Sequence, residues 1–325
     1  MSGSEPLRIA IIGCGRMGRQ HAAACQREGA AVRLLCDPDV ARARELAQQH
    51  PGAMAHDEID RIDWSDIDAA FFCTPPHVRG PAECAAAAAG VALFLEKPVA
   101  LNYAAGQQIN AAAQRAGVVT AAGYMNRYRP SIQRAKQLAA ELSLVGIACH
   151  WVAGVYRVPW WGQRAMSGGQ LNEQCTHFID LVRYFGGEVV EVTALSHEQP
   201  PDASCDVDCA TTAILRTERG LLATLYASCG AQTKQIGMHL FTPTREVRLE
   251  GWDLELRDSE SPPLPPCDPF QAEVAAFLHA VRSGDRAPIL CDLGEALRTQ
   301  RVTDAVARAL VSRRVEPVEA SADSP

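Results

Sequence analysis

The segment Leu7-Arg8-Ile9-Ala10-Ile11-Ile12 runs directly into Gly13-Cys14-Gly15-Arg16-Met17-Gly18 and then into an alanine-rich stretch. The apolar run reads as a buried strand, the glycines as a turn that side chains would obstruct, and the stretch behind them as a helix. This order opens a βαβ unit, whose next strand must return parallel to the first, and so it restricts the fold more than any other feature. Gly13 permits the tight turn, Gly15 lets the main chain approach a pyrophosphate, and Gly18 lets helix and strand pack closely. The helix N-terminus adds unpaired N–H groups and partial positive charge for an anion. Asp37 lies 19 residues beyond Gly18, at the end of the second strand, where a carboxylate accepts hydrogen bonds from ribose hydroxyls. The pattern predicts a dinucleotide site formed by Gly13, Cys14, Gly15, Arg16, Met17, Gly18 and Asp37. Asp37 favours NAD, because the 2′-phosphate of NADP would meet a negative charge, although Arg42 and Arg44 leave NADP open.

The pattern continues to residue 123. Strands are predicted at Leu7 to Ile12, Val32 to Cys36, Ala69 to Cys73, Val91 to Leu95 and Val118 to Ala122. Helices are predicted at Gly18 to Gly29, Val40 to Gln49, Gly80 to Ala89 and Tyr103 to Ala116. Short apolar strands alternating with helices predict a doubly wound parallel sheet, a Rossmann domain over 1–123. After Gly123 the pattern changes to a helix at Pro130 to Leu142, a strand at Val145 to Gly154, a loop and a second helix. A run of strands follows, at 189–198, 206–217, 221–229, 236–241, 246–249 and 253–257. Strands without crossover helices predict a mostly antiparallel open sheet, hence an α+β domain over 124–316. The alternation in Ala223-Thr224-Leu225-Tyr226-Ala227 leaves one sheet face for a partner, predicting a homodimer or homotetramer through that sheet. Ser261-Pro262-Pro263-Leu264-Pro265-Pro266 reads as a linker before closing helices at Pro269 to Arg282 and Leu293 to Val311, with a disordered tail over 317–325.

At 325 residues the chain is about right for two cores of roughly 100 to 200 residues each, with a cleft between them. With 47% apolar and 21% charged residues, the composition is globular. A net charge of -7 without blocks of like charge argues against nucleic acid and membrane surfaces as partners. The longest nearly apolar stretch, Cys84 to Leu95, falls well short of the roughly 20 residues that span a bilayer, and the N-terminus lacks the pattern of a signal peptide. The 12 cysteines form no CxxC pair, which points to reduced thiols in a cytoplasm rather than to zinc or disulfides.

Glu96-Lys97-Pro98 behind the strand Val91 to Leu95, Thr74-Pro75-Pro76-His77 behind the preceding strand, and Gly168-Gly169-Gln170-Leu171-Asn172-Glu173-Gln174-Cys175-Thr176-His177 downstream together resemble the Gfo/Idh/MocA oxidoreductase family over nearly the whole chain. The resemblance adds Thr74, Pro75, His77, Glu96 and Lys97 to the cofactor site and implies that Lys97 and His177 form the catalytic pair. Many members carry Asp four residues before that histidine, whereas here Glu173 keeps the charge on a side chain one methylene longer. Glu173, His177 and Asp180 have spacings that share one helix face. A metal held by those three is a weaker reading, since one helix seldom supplies a full ligand set, and no metal is expected.

An alcohol losing hydride to nicotinamide must also lose its hydroxyl proton. His177, with an ordinary pKa of roughly 6.5, suits that exchange. Lys97 either stabilises charge on the same oxygen or is itself the base, and the sequence does not rank the two. Glu173 orients His177 or passes its proton on, and Pro98 aims Lys97. In the loop Tyr156 to Arg164, Trp160 and Trp161 either offer ring faces for sugar or cyclitol rings, with Trp161 as the substrate contact, or pack one in the core and one over the hinge, and Arg164 offers a guanidinium for carboxylate or phosphate. Asn126, Arg127 and Tyr128 sit at the domain junction, with Asn126 and His177 counted among the substrate contacts. The expected function is reversible hydride transfer between NAD(H) and a hydroxyl or carbonyl carbon of a sugar, sugar derivative or cyclitol. Two rivals stay open: a redox-neutral NAD-dependent lyase or glycosidase, and a non-catalytic dinucleotide-binding regulator.

Overall fold

The structure, a computed structural model, describes residues 5–258 and 260–319. By its contacts the chain forms two compact units. The first holds the residues through Ala100, then Ala104–Met125 and Asp268–Ala296; the second holds Leu101–Tyr103, Asn126–Cys267 and the chain from Leu297 onward. In the first, β1 (Arg8–Ile12), α1 (Arg16–Arg27), β2 (Ala31–Cys36), α2 (Val40–Ala47), β3 (Met54–His56), β4 (Ala69–Phe72), α3 (Pro81–Ala88), β5 (Ala92–Leu95), α4 (Tyr103–Ala116) and β6 (Thr120–Ala122) alternate as expected. Their strands form one parallel sheet in the order β3-β2-β1-β4-β5-β6. The helix expected from Gly18 begins two residues earlier, because the main chain turns helical as soon as it leaves Gly15. The three-residue β3 was not anticipated.

The second unit contains α5 (Pro130–Glu141), β7 (Gly146–Val152), α6 (Arg164–Ser167), a π-helical turn at Leu171–Cys175 and α7 (Thr176–Gly186). Six strands follow: β8 (Val189–His197), β9 (Ala210–Thr217), β10 (Leu222–Ser228), β11 (Gln235–Phe241), β12 (Glu246–Glu250) and β13 (Glu255–Arg257). The strand expected from Asp206 starts only at Ala210, because Asp206 is bound into a loop, donating its N–H to the Gly162 carbonyl at 2.9 Å. α8 (Pro269–Ser283) then returns to the first unit, capped by Asp268, whose carboxylate accepts from the N–H groups of Phe270 and Gln271. There it sets Phe277 edge-on against Phe71 at 5.4 Å and packs Val274 and Leu278 into the same core.

α9 (Leu293–Ser312) and β14 (Glu316–Pro317) end the described chain. The second sheet runs β13-β12-β11-β7-β10-β9-β8-β14 and is antiparallel except for the parallel pair β7 and β10. One face carries Cys149, Trp151, Leu215 and Leu225 into a core shared with α5, α7 and α9. On the other face Leu195 is 70% exposed and Tyr226 44%. Pro317, placed in the disordered tail by the sequence, is instead paired with β8, and Val318 donates to the Val190 carbonyl at 2.9 Å. Residues 320–325 lie outside the described residues. Among the described residues, no helix is long and apolar enough to cross a membrane.

Candidate functional site

In the first unit the glycine turn leaves β1 with Gly13 at φ +93°, a backbone conformation that disfavours side chains. A Cβ on Gly13 would lie 2.9 Å from the Cys73 carbonyl, and one on Gly18 only 1.9 Å from the Gly13 oxygen, so helix and strand pack through glycine here. Gly15 differs: nothing lies within 4 Å of its Cβ position. It caps α1 without a side-chain hydrogen bond, so the first-turn N–H groups, with Arg16 and Met17 beginning the helix, face an open cradle suited to a pyrophosphate. Asp37 ends this turn from the side. Its Oδ2 accepts the Cys14 N–H at 2.8 Å and its Oδ1 the Asp39 N–H at 2.9 Å. Cys14 therefore contributes its main chain, and burial followed by the Asp37 charge pushes its thiol up to about 12. Arg42 lies 3.9 Å from Asp37 and 3.2 Å from Asp39, so its charge faces carboxylates.

β1, β4 and β5 are parallel neighbours, so the segments leaving their carboxyl ends share one sheet edge: the glycine turn, Thr74-Pro75-Pro76-His77 and Glu96-Lys97-Pro98. Arg79 is buried behind the last two. Its Nη2 donates to the Phe72 and Thr74 carbonyls at 3.2 and 2.8 Å, and its Nη1 to the carbonyls of Glu96 and of Pro98, the latter at 2.9 Å. One guanidinium thus holds the main chain on both sides of Lys97. Burial lowers the Arg79 pKa, with Glu83 and Glu96 opposing the shift. The Glu96 carboxylate also fixes the turn: Oε2 accepts the Lys97 N–H at 3.0 Å, and Oε1 lies 2.7 Å from Nε2 of His21 on α1. Burial would raise the Glu96 pKa, but the hydrogen bond with His21 and the nearby charges of Lys97 and Arg79 carry it below the ordinary value.

In the second unit His177 is the second residue of α7, only 4% exposed, and its ring lies nearly parallel to that of Trp151 from β7, with centroids 6.3 Å apart. Glu173 sits in the π-helical turn and accepts the indole N–H of Trp161 at 2.8 Å. Trp161 is itself only 1% exposed, in a small cluster with Val207 and Cys229, so it presents an N–H to Glu173 rather than an open ring face to solvent. Asp180 accepts two hydrogen bonds from Arg127, at 2.9 and 2.7 Å, and a third from Thr299 at 3.1 Å. Among the described residues Glu173, His177 and Asp180 do not reach ligand spacing; His21, Glu96 and Glu273 do, in the first unit. Asn126 is buried and accepts from Arg129 at 2.8 Å. Arg164 binds Asp208 at 2.8 Å and lines a cavity of about 450 Å³ with Asn102, Asn172, Asp208 and Arg308.

Trp151, Arg79, His21 and Glu273 were not singled out in the sequence, and no local signal marks them, because their partners are distant in the chain. Glu96 meets His21 across 75 residues, and Arg127, named earlier without a role, meets Asp180 across 53.

Residues 7–124 match the family model described as "Oxidoreductase family, NAD-binding Rossmann fold", and residues 134–250 match the GFO/IDH/MocA C-terminal domain. A protein of Amycolatopsis mediterranei named for a UDP-kanosamine synthase oxidoreductase subunit is 30% identical over 58% of this chain and 55% of its own length. Inositol 2-dehydrogenase 4 of Saccharopolyspora erythraea is 28% identical over 71% of this chain and 69% of its own. The match thus spans little more than half of the first of these relatives. Among solved structures, the UDP-N-acetylglucosamine 3-dehydrogenase GnnA of Acidithiobacillus ferrooxidans superposes with a TM-score of 0.81 at 25% identity, over 94% of this chain and 98% of that one. The two family models together cover more than two thirds of the residues, and the chain belongs to the Gfo/Idh/MocA oxidoreductase family.

Proposed function

We propose that the chain is an NAD-dependent dehydrogenase or reductase acting on a CH–OH or carbonyl carbon of a sugar, sugar derivative or cyclitol. The observation that carries this reading is the shared sheet edge in the first unit. There the open cradle at Gly15 and the Lys97 turn leave neighbouring parallel strands, where dinucleotides bind folds of this kind. Bound NAD supplies the hydride acceptor. Asp37, with Arg42 at 3.9 Å as its ion-pair neighbour among the described residues, accepts ribose hydroxyls and disfavours a 2′-phosphate. His177 takes the hydroxyl proton. Lys97 donates to a reacting oxygen as its charge develops, and Glu173, held by Trp161, orients or relays for His177. Trp161 acts on the substrate through Glu173, with Asn126 and Arg164 as further substrate contacts. The relatives named for UDP-sugar and inositol chemistry support a polyol substrate.

The test is cofactor absorbance near 340 nm on the purified chain with a panel of sugars, nucleotide sugars, cyclitols and their keto forms. Steady reduction of NAD that is lost in Lys97→Met, with NAD still bound, is the expected result. Cofactor turnover unchanged in Lys97→Met would sink the assigned role, and NAD binding without turnover of any substrate would favour a regulator or a redox-neutral enzyme. We also propose a homo-oligomer through the outer face of β8, β9 and β10, where Leu195, Ile214 and Tyr226 are exposed in a row of strands. A single monomeric mass by light scattering removes that part.

A further inference from the structure

Behind the Lys97 turn lie three ionisable side chains in one buried cluster: His21 on α1, Glu96 after β5 and Glu273 on α8, exposed to 0%, 5% and 1%. One ligand atom from each lies within 4.8 Å of the other two. Glu96 is held on three sides, by the imidazole of His21, by the Lys97 N–H, and by Gly123, where a Cβ would come within 2.9 Å of its Oε2. Glu273 is the opposite case. Both of its carboxyl oxygens are buried and have no hydrogen-bond partner among the described residues, and Nδ1 of His21 is buried in the same condition.

Two carboxylates at this range in a dry interior do not both ionise unless a cation lies between them. The groups acting on Glu273 are His21 from α1, Glu96 from the sheet and Asp268 from the cap of its own helix. Glu96 has hydrogen-bond donors and nearby cations to stabilise its charge, whereas Glu273 has two carboxylates against it. The proton therefore belongs to Glu273. An ionised Glu96 requires the hydrogen on Nε2 of His21, and in a neutral ring this leaves Nδ1 as an acceptor without a donor. A protonated Glu273 is a donor without an acceptor; the two groups are not hydrogen-bonded at the spacing shown, and a small approach lets one proton satisfy both.

We infer that Glu273 is a positioning residue for Lys97: as a neutral acid it donates into the His21–Glu96 pair and so fixes the carboxylate that anchors the Lys97 main chain. This rests on the reading of Lys97 as a group that meets the reacting oxygen. Burial, and then the charges of Glu96 and Asp268, hold the Glu273 carboxyl well above the ordinary carboxylate range. The folded chain keeps this proton where the unfolded chain releases it. Wild-type stability therefore falls as pH rises from the ordinary glutamate range towards the raised value, and Glu273→Gln, which has no proton to lose, lacks that fall.

The experiment compares wild type, Glu273→Gln and Glu273→Leu as full chains, measuring folding equilibria between pH 5 and 8, kcat and KM, and metal content. Across the window between the two pKa values, the wild-type folding constant should lose about tenfold per pH unit relative to Glu273→Gln. Glu273→Gln, which keeps the shape and a donor, should hold kcat within about twofold, and Glu273→Leu should lower kcat about tenfold or more with KM little changed. A gap between wild type and Glu273→Gln that does not change with pH overturns the neutral acid. Stoichiometric metal in the wild type that Glu273→Gln lacks also overturns it, in favour of a cation. A kcat for Glu273→Leu equal to that of the wild type overturns the positioning role. A wild type that binds NAD but turns over no substrate removes the oxidoreductase reading and the role of Lys97 with it, while the pH comparison still decides where the proton resides.

Discussion

Arg79 in the first unit and Arg127 in the second are both buried, 6% and 2% exposed; Arg79 holds the main chain around Lys97, and Arg127 pairs with Asp180 on the helix that carries His177. They carry their charge in different ways. Arg79 donates to four main-chain carbonyls around the ends of β4 and β5, and no carboxylate lies within ion-pair distance of it among the described residues. Arg127 forms a two-pronged pair with the Asp180 carboxylate and lies 4.7 Å from the Tyr184 ring centroid. The carbonyl oxygens that leave a parallel sheet at one edge together form a region of partial negative charge. A cation there is stabilised by dipoles the fold supplies anyway. On α7 no such set exists, because helix carbonyls are bonded within the helix, and the cation needs a formal anion. The main-chain arrangement shapes a loop, whereas the side-chain pair locks a helix face.

The comparison predicts its largest effect at Arg127. Arg127→Met leaves Asp180 as a buried carboxylate with Thr299 at 3.1 Å and Arg183 at 4.0 Å as its remaining partners among the described residues. Removing one member of a buried pair costs about 3–5 kcal/mol. Urea unfolding should show the midpoint falling accordingly with the slope unchanged. A loss below about 1 kcal/mol would mean that Arg183 takes over, and the contrast between the two arginines would collapse. Removing both partners, in Arg127→Met with Asp180→Leu, should recover much of the loss, since no charge is then left unpaired.

The same contrast explains what could be read from the chain. The β1 turn was legible because its geometry is dictated within six residues: glycines at 13, 15 and 18 behind an apolar run permit few other conformations. The alternation of strands and helices was legible for the same local reason, whereas Lys97 entered through the family resemblance, because Glu96-Lys97-Pro98 alone dictates no conformation. β3 and the π-helical turn at Leu171–Cys175 were not, because three and five residues are too few to show a period. Nor was the parallel pairing of β7 with β10, since alternation says which face a residue takes and not which strand lies beside it. Glu173 and Asp180 were read as companions of His177 from helical spacing. Their partners, Trp161 at 12 residues and Arg127 at 53, are tertiary facts that spacing does not contain. The return of α8 to the first unit belongs with these, as nothing in Asp268–Ala296 marks which core it will join.

The smaller effect is expected at Arg79. Arg79→Met removes the guanidinium but orphans no carboxylate, and the Phe72 carbonyl keeps the Glu96 N–H at 3.0 Å. What remains is a set of carbonyls short of donors, each costing on the order of 1–3 kcal/mol when fully unsatisfied, offset by no longer burying a charge. A net loss of about 2–3 kcal/mol follows, below that of Arg127→Met, with Arg79→Lys between, since an ammonium reaches fewer of the four oxygens than a planar fork does. The catalytic consequence should be sharper than the loss of stability. With the main chain on both sides of Lys97 released, kcat should fall while cofactor binding at the glycine turn persists. A kcat equal to the wild type in a folded Arg79→Met would show that Glu96 alone positions the turn. A loss of stability as large as that of Arg127→Met would show that carbonyl dipoles hold a buried cation as firmly as a carboxylate does.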